Sequence, residues 1–166
     1  MRGMNTRTAR FGIGEVVQAA PEDHVRIVQD LTGGRGAAVT VDAVGHASVI
    51  NTCIQTCATF GQVILLGSPR APFEGNLTDP FRQIHNRWLT VRGALEWRLP
   101  TYPVTGGKHS ISSNLRLLHD QIRHGRLHID PLVTHVIAPE QLAEAYDGLL
   151  DHKDDYLGVV VDWQTA

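Results

Sequence analysis

Lysine is scarce in this chain. Only Lys108 and Lys153 occur among 166 residues, and arginine supplies the other basic groups. The skew could serve arginine contacts to carboxylate or phosphate, but reads first as a base-composition bias of the source genome. Cysteine is as rare. Cys53 and Cys57 stand alone, too few for a disulfide framework, and suit a reduced, cytoplasmic compartment. Charge of one sign is also missing. Fifteen basic against seventeen acidic residues leave a formal net charge of −2, whereas a non-specific nucleic-acid binder carries a basic excess. No apolar run reaches the roughly 18 residues of a membrane span. The opening MRGMNTRTAR has no apolar segment of the kind a secretory signal needs. There is no G-x-S-x-G elbow, and Gly107-Lys108-His109-Ser110 lacks the rest of a phosphate-binding loop. Hydrophobic residues make up 42%, an ordinary globular share and too high for a disordered tail.

Patterning along the chain predicts alternating strands and helices. Gly14 to Ala20 reads as a short strand, and Pro21 with Glu22 and Asp23 as a helix start. Val25, Val28 and Leu31 form an apolar stripe that ends at Gly33-Gly34. Ala37 to Val44 is almost continuously apolar and β-branched, as suits a parallel strand covered on both faces. A helix through Val49, Ile50, Cys53, Ile54 and Cys57 closes at Phe60-Gly61, and Gln62 to Leu66 is the next buried strand. This β-α-β-α-β order implies parallel strands. Asp79-Pro80 then caps a short helix to Arg87, before a strand from Leu89 to Leu95. Pro100 to Ser112 is a loop, Asn114 to His124 a helix, Leu132 to Ile137 a strand, Pro139 to Leu150 a helix and Tyr156 to Trp163 a last strand.

Ligands of open α/β sheets bind outside the carboxyl ends of the strands. Ala43-Val44-Gly45 and Leu66-Gly67-Ser68 occupy two such ends, and glycine there admits a close approach to the backbone. Gly12-Ile13-Gly14 begins like a dinucleotide fingerprint, but Val17 stands where its third glycine belongs, and it precedes a strand. It reads as a turn. Thr32 to Gly36 could form an anion nest but reads first as a helix-to-strand turn. Asp42, inside an apolar strand, needs a hydrogen-bonding partner and reads as structural. Cys53 and Cys57, four residues apart, have no further ligands at zinc spacing and read as core. His119, His124 and His128 are divided by Gly125, so they do not share one rigid face. A histidine-rich metal module and an acid/base role for His46 or His85 stay open as weaker readings.

The order of TGGRG (Thr32 to Gly36), VDAVG (Val41 to Gly45), FGQVILLGSP (Phe60 to Pro69) and LTVRGAL (Leu89 to Leu95) resembles the zinc-type medium-chain dehydrogenase/reductase family, in its sorbitol- and threonine-dehydrogenase-like branch. The resemblance runs from about Ala9 to Trp163. It implies an incomplete Rossmann-type, doubly wound α/β sheet over residues 1–125. It also implies a strand-helix-strand segment over 126–166 that packs on a catalytic domain not in this chain. Thr8 to Ile13 resembles the end of the second Rossmann helix, so the first two strands and the glycine fingerprint are expected to be missing. A truncated gene model, a fragment or a degraded paralogue is the expectation.

By the same resemblance Val44, Gly45 and His46, with Ala43, flank the adenosine side of NAD or NADP. Leu66 and Ala94 offer carbonyls to the nicotinamide amide, beside Gly67, Ser68 and Gly93. Zinc belongs to the intact parent only, and no zinc ligand is carried over. The strand Leu89 to Leu95 resembles a two-fold dimer edge, with Leu89, Val91 and Gly93 in contact. The expected activity of the parent is reversible hydride transfer between the nicotinamide and an alcohol, with residues 1–166 inactive alone. The alternative is a non-catalytic, dimerising, nucleotide-binding remnant.

Overall fold

The computed structural model describes residues 16–165. They fall into two compact units, residues 16–99 and 100–165. In the first, Pro21 opens a single 3-10 turn that runs into helix α1 (His24–Leu31), because its fixed φ suits a first helical position. Strand β1 (Ala37–Asp42), helix α2 (Ala47–Thr56), strand β2 (Cys57–Leu65), helix α3 (Thr78–Asn86) and strand β3 (Thr90–Gly93) follow. The strands form one parallel sheet in the order β1-β2-β3, the arrangement that helical crossovers permit.

Val63, at the centre of β2, is fully buried and packs with Cys53, Ile54, Cys57 and Leu89. Burying an aliphatic side chain of this size contributes roughly 1.5–3 kcal/mol. Thr40 faces the same way and its hydroxyl donates to the Cys53 carbonyl at 3.1 Å. Val39 and Val41, alternating with Thr40 along β1, are about half exposed. The apolar run predicts cover on both faces of β1, but the described residues supply it on the Val63 face. Arg87 fastens the last turn of α2. Its guanidinium donates to the carbonyls of Ile54 and of Gln55, the latter at 3.2 Å, and a cation is favoured at a helix C-terminus.

Several boundaries differ from the sequence reading. Residues 16–20, the described part of the expected first strand, pair with no strand among the described residues. His24 Nε2 donates to the Ala19 carbonyl at 3.0 Å, and the described sheet ends at β1. Strand β2 begins at Cys57 rather than Gln62, and its register against β1 shifts between Ala37 and Val39. Helix α3 begins at Thr78 with no side-chain cap, and in the turn before it Asn76 Oδ1 accepts from the Thr78 N–H at 3.0 Å. Asp79, the expected cap, instead accepts from Asn76 Nδ2 at 2.9 Å.

The second unit contains helix α4 (Ile111–Arg123), strand β4 (Val133–Ile137), helix α5 (Leu142–Asp151) and strand β5 (Gly158–Val161). β4 and β5 pair in parallel. Helix α4 starts three residues before Asn114 because two serines cap it reciprocally. Ser113 N–H donates to Ser110 Oγ at 3.1 Å, and Ser110 N–H donates to Ser113 Oγ at 2.9 Å. Tyr156 stacks on His135 with centroids 3.8 Å apart. Among the described residues no helix is long and apolar enough to cross a membrane.

Candidate functional site

Asp42 ends β1 with no exposed surface. A carboxylate so placed requires donors, and the next turn supplies them. Val44 N–H donates to Oδ1 at 2.9 Å, and Gly45 N–H reaches Oδ1 at 3.1 Å and Oδ2 at 3.2 Å. The main-chain carbonyl of Asp42 accepts from Leu66 N–H at 2.9 Å and Gly67 N–H at 2.8 Å. One residue therefore ties the turn after β1 to the turn after β2.

The two turns touch backbone to backbone. Gly45 stands at φ 79°, and a Cβ there would lie 2.7 Å from the Ser68 carbonyl carbon. A Cβ on Gly67 would lie 2.7 Å from the carbonyl carbon of Val44. Glycine is the residue that fits both places. The end of β3 joins the same row, since Ala94 N–H donates to the Leu65 carbonyl at 3.0 Å. A Cβ on Gly93 would meet nothing within 4 Å. The structure thus lines up the residues singled out in the sequence, from Ala43 through His46, from Leu66 through Ser68, and Gly93 with Ala94, along the carboxyl ends of three parallel strands.

His46 does more than line the row. Its Nδ1 accepts from Ser48 N–H at 3.2 Å and lies 2.7 Å from Ser48 Oγ, so the ring caps α2. Accepting at Nδ1 places the proton of the neutral ring on Nε2. The ring edge meets Phe73, centroids 5.8 Å apart. Nothing in the sequence announces this cap, because histidine is not among the favoured N-cap residues. Among the described residues, the carbonyls of Leu66 and Ala94 accept no backbone hydrogen bond. They stand at the ends of β2 and β3.

The other candidates resolve differently. Cys53 and Cys57 are buried in the core as free thiols. Burial pushes the Cys53 thiol up, and the negative charge of Asp42 adds to the shift. No group of three or more His, Cys, Asp or Glu side chains among the described residues could hold a metal ion, so these residues do not fit a zinc site. His124 Nδ1 bonds the Asp120 carbonyl of its own helix at 2.7 Å. Thr32 to Gly36 is a turn closed on itself, with Gly36 N–H donating to Thr32 Oγ1 at 2.9 Å. Gly12-Ile13-Gly14 lies outside the described residues.

A parallel α/β sheet with glycine turns in contact at its carboxyl ends is the architecture of nucleotide-binding domains. Residues 7–104 match the zinc-binding dehydrogenase family, and the chain belongs to it. It is similar to the L-threonine 3-dehydrogenase of Bacillus licheniformis, at 25% identity over 138 residues, 83% of this chain and 36% of that protein. It is similar also to an alcohol dehydrogenase of Cupriavidus necator, at 26% over 152 residues, 92% of this chain and 38% of that one. A crystal structure of an NAD-dependent alcohol dehydrogenase matches with a TM-score of 0.68 at 26% identity, covering 94% of this chain and 40% of that chain. The chain spans between 36% and 38% of the length of these curated relatives. Its sheet resembles their cofactor-binding, Rossmann-like half.

Proposed function

We propose that this chain carries part of the cofactor site of an NAD(P)-dependent oxidoreductase that exchanges hydride between the nicotinamide and an alcohol. The observation that carries the reading is the row of strand ends. Gly45 and Gly67 bring the two turns together there, backbone to backbone, and the carbonyls of Leu66 and Ala94, which accept no backbone hydrogen bond among the described residues, stand beside them. A nicotinamide carboxamide has an NH2 group that such carbonyls would orient. Val44 and His46 sit at the β1 end, where the adenosine would lie. When bound, the cofactor supplies the hydride chemistry. The residues of this chain bind and orient it. Zinc is part of the parent protein in this reading, and no step here runs through it. The alcohol pocket also belongs to the parent, and residues 1–166 alone are expected to be inactive. The free thiols support a cytoplasmic location.

Gly93→Leu tests the reading. The new side chain enters open space, so the variant should unfold at the wild-type denaturant midpoint. The wild-type chain should bind NADH or NADPH saturably in a fluorescence titration, and the variant should not. A wild-type chain that binds neither, or a variant that binds as well, overturns it.

The remnant reading keeps one specific support. Strand β3 is exposed at all its residues, which leaves an edge for a partner. Leu89, expected in that contact, is buried in the chain's own core at 8% exposure, so the contact rests on Val91 and Gly93. Co-purification with a full-length relative, without alcohol oxidation by the complex beyond that of the relative alone, is the result that would select this reading.

A further inference from the structure

We infer that Asp42 is the positioning residue of the site, because its carboxylate and its carbonyl between them bond both of the turns that receive the cofactor. The inference rests on the cofactor reading above and goes further, since Asp42 itself lines nothing: it is wholly buried beneath the row. Its carboxylate holds the turn after β1 through the N–H groups of Val44 and Gly45. Its carbonyl holds the turn after β2 through the N–H groups of Leu66 and Gly67. Side chain and main chain of one residue thus pull on opposite turns. The glycines transmit the coupling, because Gly45 and Gly67 are packed backbone against backbone with no room for a Cβ. If the first turn loosens, the second loses its wall. The carbonyl of Leu66, the acceptor assigned to the nicotinamide amide, then loses its fixed direction.

The chemistry asks for an acceptor at this position. An amide oxygen can accept from Val44 and Gly45 as a carboxylate oxygen does, though more weakly. Asp42→Asn should therefore keep the spacing and Asp42→Ala should lose it. Two readouts on the full 166-residue chain decide the matter. The first is NADH affinity by fluorescence titration. Asp42→Ala should weaken binding on the order of tenfold or more, the scale of losing hydrogen bonds to a charged group. Asp42→Asn should stay much closer to wild type. The second is amide hydrogen exchange without nucleotide. In Asp42→Ala the amides of Leu66 and Gly67 should lose protection together with those of Val44 and Gly45, although their own acceptor, the residue-42 carbonyl, is still present.

Asp42→Ala that binds NADH as wild type does, or Asp42→Asn as impaired as Asp42→Ala, overturns the inference. If the wild-type chain binds no nucleotide, the cofactor reading fails and exchange alone decides the coupling. Leu66 and Gly67 remaining protected while Val44 and Gly45 open would then refute it. Should Asp42→Ala not fold, Asp42→Asn compared with Asp42→Ser carries both readouts, since the short hydroxyl does not span the same gap.

Discussion

Phe60 and Trp88 both take the left-handed backbone conformation, at φ 64° and 54°, and their rings meet with centroids 6.2 Å apart. Phe60 N–H donates to the Arg87 carbonyl at 2.8 Å, so the two strained positions are braced against each other. Left-handed backbone costs a residue with a Cβ roughly 1–2 kcal/mol. The rings return little of it, being 74% and 76% exposed. Phe60→Asn should therefore stabilise the fold by about 0.5–1 kcal/mol, since asparagine tolerates this conformation. Phe60→Val should destabilise it by about 1 kcal/mol or more, because a β-branched residue is an outlier there. Urea unfolding of the three chains checks both signs. A less stable Phe60→Asn would mean that the ring contact outweighs the strain.

That pair also marks where sequence reasoning stops. The β-α-β alternation and the glycines at the strand ends were legible because each is a local signal: an apolar run, then a residue without a Cβ. Asp42 was half legible. Its burial in an apolar strand demands partners, but the sequence does not say that Val44, Gly45, Leu66 and Gly67 all converge on it. The left-handed turn at Phe60 was illegible, because Gly61 beside it is the residue that advertises such a turn. The start of α4 was missed for a similar reason, since Ser110 and Ser113 cap each other without the usual Glu or Gln. Segment 16–20 has the composition of a strand and no described neighbour to pair with. Pairing is a property of the sheet, and composition alone does not supply it.

The Cys53 thiol should make stability fall on the alkaline side. Burial, and then the charge of Asp42, raise its folded-state pKa above the ordinary value. A group raised on folding contributes fully below its unfolded pKa, about 8.5 for a thiol. The contribution is lost as pH rises through the folded value, because the unfolded chain then binds fewer protons. Urea midpoints compared at about pH 7 and about pH 9.5 should drop further for wild type than for Cys53→Ala. Asp42→Asn, which removes the second cause, should give an intermediate slope. Equal drops for wild type and Cys53→Ala would show that this thiol titrates alike in both states.

The free edge of β3 is expected to join a second copy of the chain. β3 pairs only with β2 among the described strands, and an uncovered edge invites another strand. Val91 is 39% exposed on it. In a two-fold contact each copy presents the same edge to the other, so a charge placed there meets a like charge across the axis. Val91→Asp should run at the monomer mass of 18.2 kDa where wild type runs at twice that in light scattering, with the unfolding midpoint little changed. Among the described strands β1 also pairs only with β2, so it is the competing surface, and Val39→Asp, on its half-exposed face, separates the two. If Val39→Asp yields the monomer and Val91→Asp stays a dimer, the second copy sits on β1. The second copy would then border the turn after β1, where Val44 and His46 stand, rather than the end of β3, where Gly93 and Ala94 stand.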